Sequence, residues 1–225
     1  MVLSAWKESL IKFSIQRNAL LFGEFTLKSK RISPYFFTLS NLINDGVGLQ
    51  KISEAFITTI KESIGLNEFD YIHGPAYKGI PLAGAIAMVI HQRNKENKRW
   101  GYDRKEAKDH GVSSESLLVG ELKDGDRIIL VDDVITTGLT KLDSIEKLQQ
   151  YSQKLNLKFA GIFIFLDRQE KDPDGNDPTT FLEEKGVKVY SILQIRETVE
   201  FLEKNMLINA SHYDLFQNYF AQYGT

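Results

Sequence analysis

The segment Ile128-Ile129-Leu130-Val131-Asp132-Asp133-Val134-Ile135-Thr136-Thr137-Gly138-Leu139-Thr140 constrains the fold of this 225-residue chain more than any other. Its four leading apolar residues read as a strand covered on both faces, the habit of parallel sheets flanked by helices. Two acids follow, then a hydroxyl-rich turn, then a helix whose Leu139, Leu142, Ile145 and Leu148 recur at helical spacing. In open α/β sheets ligands bind beyond the carboxyl ends of the strands. A helix N-terminus placed there offers free backbone N–H groups and a positive dipole to a phosphate. Thr136, Thr137 and Thr140 add hydroxyls, Gly138 lets the backbone approach an anion, and Leu139 can offer its N–H. Asp132 and Asp133 can accept hydrogen bonds from the vicinal hydroxyls of a sugar. Residue by residue, the turn is also ordinary helix capping. Taken whole it points to a sugar-phosphate cradle, and it has neither the Gly-Lys-Ser/Thr ending of a P-loop nor the Gly-x-Gly-x-x-Gly of a dinucleotide site.

The remainder alternates in the same way. A helix is expected from Ser4 to about residue 17, two short strands joined by a basic turn over residues 20–37, and a helix over 46–65. Strands follow at 69–73, 99–102, 127–131, 159–166 and 187–193, with a helix through Leu82, Ile86, Val89 and Ile90 after the first and two amphipathic helices at the end. Residues 171–178, with Pro173, Gly175 and Pro178, are the clearest loop. The expectation is an α/β fold with a mainly parallel central sheet flanked by helices, in one domain over 1–225.

Composition narrows the function. A net charge of -2 gives no global field to gather nucleic acid or anionic lipid, so neither partner is expected. With no cysteine, disulfides and thiolate metal sites are excluded. The first residues do not read as a signal peptide and no apolar run is long enough to span a membrane, so the cytoplasm is the expected location.

The 128–140 segment resembles the phosphoribosyl pyrophosphate signature of the type I phosphoribosyltransferases: four apolar residues, two acids, two apolar residues, then Thr-Gly-x-Thr. Three further segments are similar to the orotate phosphoribosyltransferase family in particular. Residues 22–37, ending Ser33-Pro34-Tyr35-Phe36-Phe37, resemble its substrate-covering hood, which implies an N-terminal hood over about 1–45 and a core over 46–225. There Lys28, Phe36 and Phe37 match ligand-contacting positions, although two adjacent phenylalanines alone are more often core. Gly74-Pro75-Ala76-Tyr77-Lys78-Gly79-Ile80-Pro81 is similar to the pyrophosphate loop, with Tyr77 and Lys78 as the contacts. Residues 102–111 resemble the catalytic loop. Such a charge run is usually a solvated face, but the resemblance gives Arg104, Lys105, Lys108 and His110 the departing pyrophosphate. Arg168, at a strand end where a surface ion pair is the commoner role, matches the arginine that binds orotate.

The resemblance implies transfer of the 5-phosphoribosyl group from phosphoribosyl pyrophosphate to orotate, giving orotidine 5'-monophosphate and pyrophosphate in pyrimidine biosynthesis. It implies Mg²⁺ carried by the substrate, with Asp132 and Asp133 reaching it through water at most, and a homodimer in which loop 102–111 enters the neighbouring site. A transferase for another base would keep the Asp132-to-Thr140 motif but lack the hood and Arg168. A non-catalytic sensor of phosphoribosyl pyrophosphate that binds nucleic acid would need a wide basic face, which the net charge does not suggest.

Overall fold

The computed structural model describes residues 3–27, 29–104, 118–135, 137–151 and 155–225. Helix α1 (Ala5–Gln16) follows Ser4, whose side chain makes no capping hydrogen bond. Strands β1 (Leu20–Thr26) and β2 (Ile32–Phe37) pair antiparallel as a separate two-stranded sheet, with Leu20 opposite Phe37 and Phe22 opposite Tyr35. Helix α2 (Gly46–Ser63) is capped by Asp45, whose carboxylate accepts from the Gly48 N–H at 2.7 Å. It buries Ile52, Ala55, Phe56, Thr59 and Ile60 along one stripe.

The remaining strands are β3 (Tyr71–His73), β4 (Arg99–Asp103), β5 (Leu118–Val119), β6 (Arg127–Val134), β7 (Lys158–Asp167) and β8 (Val189–Gln194). They form one six-stranded sheet in the order β5-β4-β3-β6-β7-β8. Every pair is parallel except β4 with β5, so the expected parallel α/β architecture holds. The helices are α3 (Gly79–Asn94), α4 (Leu139–Tyr151), α5 (Pro178–Glu184), α6 (Ile195–Lys204) and α7 (Ala210–Tyr223). Helix α5 begins at the end of what the sequence suggested was a loop. Asp177 caps it by accepting from Thr179 N–H, and Pro178 stands where its missing N–H costs nothing.

Alternation along β6 and β7 divides the core. Ile129, Val131, Phe163 and Phe165 face one way, into a cluster shared with α2, α3, α6 and α7. Ile128, Leu130, Ile162 and Ile164 face the other way and meet Ile145 and Leu148 of α4 and Leu182 of α5. Each such side chain contributes about 1.5–3 kcal/mol when fully buried, so β6 is fixed from both faces. Its end is also longer than expected. The strand runs through both acids, with Asp132 paired to Ile164 and Val134 to Leu166 of β7. Adjacent strand residues point to opposite faces, so Asp132 and Asp133 are aimed apart.

Candidate active site

The acids at the end of β6 are each held by a lysine. Asp132 is buried and its Oδ2 pairs with the Nζ of Lys141 in the first turn of α4, while its Oδ1 accepts from the backbone N–H of Asp133 at 2.9 Å. Burial pushes the Asp132 carboxyl above the ordinary carboxylate range against the pull of the Lys141 ammonium, and the charge of Asp133 pushes the same way. Asp133 is turned toward the 74–78 turn, where its Oδ2 accepts from Lys78 Nζ at 2.5 Å. Sequence reading singled out both acids but not Lys141, because a lysine in the first turn of a helix ordinarily reads as solvated.

The turn into α4 follows directly. Gly138 has φ +76°, a left-handed conformation that favours glycine, and its carbonyl accepts the first helical bonds from the N–H groups of Lys141 and Leu142 at 3.0 and 3.1 Å. Thr137 Oγ1 accepts from Leu139 N–H at 3.4 Å. The Leu139 side chain is exposed and aliphatic, so an anion could be served only by its backbone N–H, which would have to leave this long contact with Thr137. Thr140 is in the first turn of α4, and Thr136 lies outside the described residues.

Beside this turn opens a cavity of about 510 Å³. The core contributes Ile135, Thr137, Arg168 and Glu170 to its wall, and β1–β2 with their connection contribute Thr26, Leu27, Ser29, Arg31 and Phe36. Arg31 crosses from this hairpin to the loop after β7 and donates to the carbonyls of Lys171 and Asp172 at 2.5 and 2.6 Å. Arg168 is largely buried. Its Nη2 donates to both oxygens of Glu170, at 2.9 and 3.2 Å, and its guanidinium lies 4.7 Å from the centre of the Tyr35 ring. Glu170 also accepts from the hydroxyl of Tyr35 and, at 3.0 Å, from that of Tyr219. Burial raises the Tyr35 hydroxyl well above its ordinary value and Tyr219 to about 12, so both remain donors.

Phe36 and Phe37 part company here. Phe36 faces the cavity at 39% exposure, whereas Phe37 is buried and stacks on Phe165 with ring centres 5.3 Å apart. Two consecutive residues of a strand cannot both meet one ligand on the same face. Lys28, the third expected contact of the hairpin, lies outside the described residues.

The 74–78 turn is tightly folded against its surroundings. A Cβ on Gly74 would lie 2.1 Å from the carbonyl oxygen of Gly79, so backbone approaches backbone at the point where α3 begins. Tyr77 is exposed, and Lys78 reaches Asp133 across 55 positions of sequence, a pairing that no local pattern announces. Arg104 directly follows β4. Lys105, Lys108 and His110, with the rest of 105–117, lie outside the described residues. Among the described residues no group of three or more His, Asp or Glu side chains is arranged to hold a metal ion, and no helix is long and apolar enough to cross a membrane.

The model of the phosphoribosyl transferase domain matches residues 42–193. The chain is 38% identical over 225 residues to the orotate phosphoribosyltransferase of Stutzerimonas stutzeri, covering 99% of this chain and 100% of that protein. It is 40% identical to the one of Haemophilus ducreyi, covering 97% and 98%. The crystal structure of orotate phosphoribosyltransferase from Francisella tularensis superposes with a TM-score of 0.81 at 32% identity, covering 96% of this chain and 100% of that one.

Proposed function

Because this chain belongs to the phosphoribosyltransferase family and matches orotate phosphoribosyltransferases along nearly its whole length, we propose that it transfers the 5-phosphoribosyl group of phosphoribosyl pyrophosphate to orotate, yielding orotidine 5'-monophosphate and pyrophosphate. The observation that carries this reading is the shared cavity: Thr137 of the β6–α4 turn and Arg168 at the end of β7 line the same space. A sugar phosphate held at the turn therefore presents its C1 toward a base held at Arg168.

The roles follow from the chemistry. The N–H groups and hydroxyls from Thr136 to Thr140, with Gly138 and Leu139 supplying backbone, hold the 5-phosphate. Lys78 and Asp133 neutralise one another at 2.5 Å. An incoming substrate divides that pair, the diphosphate taking Lys78 and the ribose hydroxyls taking Asp133. Asp132 keeps Lys141 and steadies the strand end. Phe36 offers a ring face to the pyrimidine, and Lys28 a positive charge. Arg168 presents its remaining N–H groups to the orotate carboxylate while Glu170 fixes the opposite edge of the guanidinium.

As N1 of orotate bonds to C1 it gives up its proton to water, while the C1–oxygen bond breaks and pyrophosphate leaves with the electron pair. Arg104, Lys105, Lys108, His110 and Tyr77 meet that growing negative charge, where preorganised donors act most strongly. The residues present fit a Mg²⁺ ion that arrives on substrate oxygens, since Asp132 and Asp133 are already engaged by lysines and no protein cage stands among the described residues. When bound, Mg²⁺ supplies charge neutralisation on the diphosphate. The rest of the reading is a single domain over 1–225 with a hood over about 1–45, a cytoplasmic homodimer whose 102–111 segments enter the neighbouring site, and no nucleic acid or membrane partner.

Orotate consumption, followed spectroscopically with phosphoribosyl pyrophosphate and Mg²⁺ against uracil and hypoxanthine controls, tests the activity. Loss of orotate alone is the expected result, and turnover of hypoxanthine instead would place the chain with purine enzymes. Lys108→Ala should lower kcat roughly 10²-fold with a smaller effect on KM, as loss of one preorganised donor does.

A further inference from the structure

The carboxylate of Asp103 stands where three segments of the site converge, although no step assigned above uses it. It is buried at the last position of β4, immediately before Arg104. Its Oδ1 lies 3.2 Å from Nε2 of His73, the fully buried last residue of β3, and 3.3 Å from the backbone N–H of Ala76 inside the 74–78 turn. Its Oδ2 lies 3.6 Å from Nζ of Lys147 on α4, which is also held by Asp143 at 2.7 Å. A carboxylate can only accept, so the His73 tautomer that satisfies this contact carries its proton on Nε2. Nδ1 finds no hydrogen-bond partner among the described residues.

We infer that Asp103 is a positioning residue that sets the 74–78 turn relative to α4, and so places Lys78 and the backbone of that turn for the diphosphate end of the substrate. The turn starts from Gly74, whose backbone N–H donates to the Gly101 carbonyl of β4 at 2.9 Å, and it is fastened again farther along. Asp103 takes its backbone at Ala76, and Asp133 takes the Lys78 side chain. The Lys78 fastening must open when a diphosphate claims that lysine, which leaves Asp103 to hold the middle of the turn at Ala76 while the Gly101 carbonyl keeps its start at Gly74. His73 contributes from beneath. As the residue just before Gly74, it ties the strand that launches the turn to the same carboxylate, while Lys147 offsets the buried negative charge from the helix that carries the phosphate turn. Orotate lies on the other side of β6, toward Arg168, so its binding does not depend on this carboxylate.

The inference rests on the proposed transferase reading, and two assays separate the fates of the two. Calorimetric titration with inorganic pyrophosphate and Mg²⁺ needs no turnover, and steady-state kinetics need it. Asp103→Ala should weaken pyrophosphate binding and raise the KM for phosphoribosyl pyrophosphate by roughly 10-fold, with lower kcat, because displacement on the order of 1 Å can cost up to about 10²-fold. The KM for orotate should stay within about twofold of its original value, as it contacts none of these groups. Asp103→Asn keeps an oxygen that accepts from both His73 and Ala76, and should restore pyrophosphate binding. His73→Leu fills the space but removes the donor, and should reproduce the defect in milder form without depending on how well Asp103→Ala folds. Equal losses for orotate and pyrophosphate, or an Asn variant as impaired as Ala, would overturn the assignment. Pyrophosphate binding that behaves as stated in a protein that ignores orotate would sink the substrate reading and leave this one standing.

Discussion

The ends of β6 and β7 lie side by side, and each brings a buried charge to the site, but the two charges are neutralised by different means. Asp132 is answered by Lys141, nine positions later in the helix that the same strand feeds. That sugar-phosphate side is made almost entirely from one continuous piece of chain. Arg168 is answered by Glu170, which is itself held by Tyr35 of the β1–β2 hairpin and Tyr219 of α7. The base side is therefore assembled from three distant segments. A local unit can keep its form while the rest changes, whereas the base side is complete only when hairpin, strand end and last helix are all in place.

The contrast is most exposed at Asp132. Asp132→Ala would strand the Lys141 ammonium in a site it shares with the core, and removing one partner of a buried pair costs about 3–5 kcal/mol. Denaturant unfolding should show this loss. A change below about 1 kcal/mol, the range of solvent-exposed pairs, would mean that Lys141 escapes to water and that the local unit is looser than described.

Arg168→Ala should weaken orotate binding selectively and also cost stability, since Glu170, though still served by the Tyr35 and Tyr219 hydroxyls, is left as a buried carboxylate without its counter-charge. Losing a charge-assisted contact of roughly 1.5–3 kcal/mol should raise the KM for orotate on the order of 10- to 10²-fold and leave that for phosphoribosyl pyrophosphate nearly unchanged. If both KM values rose together, the sugar-phosphate and base sides would not be separable.

The smallest expected effect concerns pH. Burial raises the carboxyl of Asp167, at the end of β7, above its ordinary value of 3.8. The fold thus prefers it protonated. Its contribution to stability is complete below 3.8 and is lost as pH climbs through the raised value. Asp103 behaves in the opposite sense. Burial works to raise it, but the His73 hydrogen bond and the positive charge of Lys147 bring it lower, so its contribution is present above 3.8 and is lost as pH falls through the depressed value. Asp167→Asn retains an acceptor for the Gln169 N–H and removes the penalty. Near neutral pH it should raise Tm by roughly 2 °C, the shift expected for about 0.5–1 kcal/mol in a chain of this size. The gain should shrink on acidification, and a gain independent of pH would show that desolvation is not its cause.

Much of the sugar-phosphate side was legible in the sequence because it is local: the apolar run, the two acids, Gly138 and the helical spacing that follows are all contiguous. The base side was legible only through resemblance. Arg168 could be named, but its partners could not, because Tyr35, Glu170 and Tyr219 meet only after the hairpin and the last helix have packed. Strand alternation allows only one of Phe36 and Phe37 to face the cavity, and the packing of Phe37 on Phe165 decides that it is Phe36. Helix α5 was concealed in a similar way, its Asp177-Pro178 start signal being outweighed by Pro173 and Gly175 before it.

A crystal structure with orotidine 5'-monophosphate bound would test the central claim most directly. The account predicts the monophosphate on the N–H groups at the head of α4, ribose hydroxyls on Asp133 with Lys78 swung away, and the orotate carboxylate on Arg168. A nucleotide seated outside that cavity, with Lys78 still closed on Asp133, would contradict it.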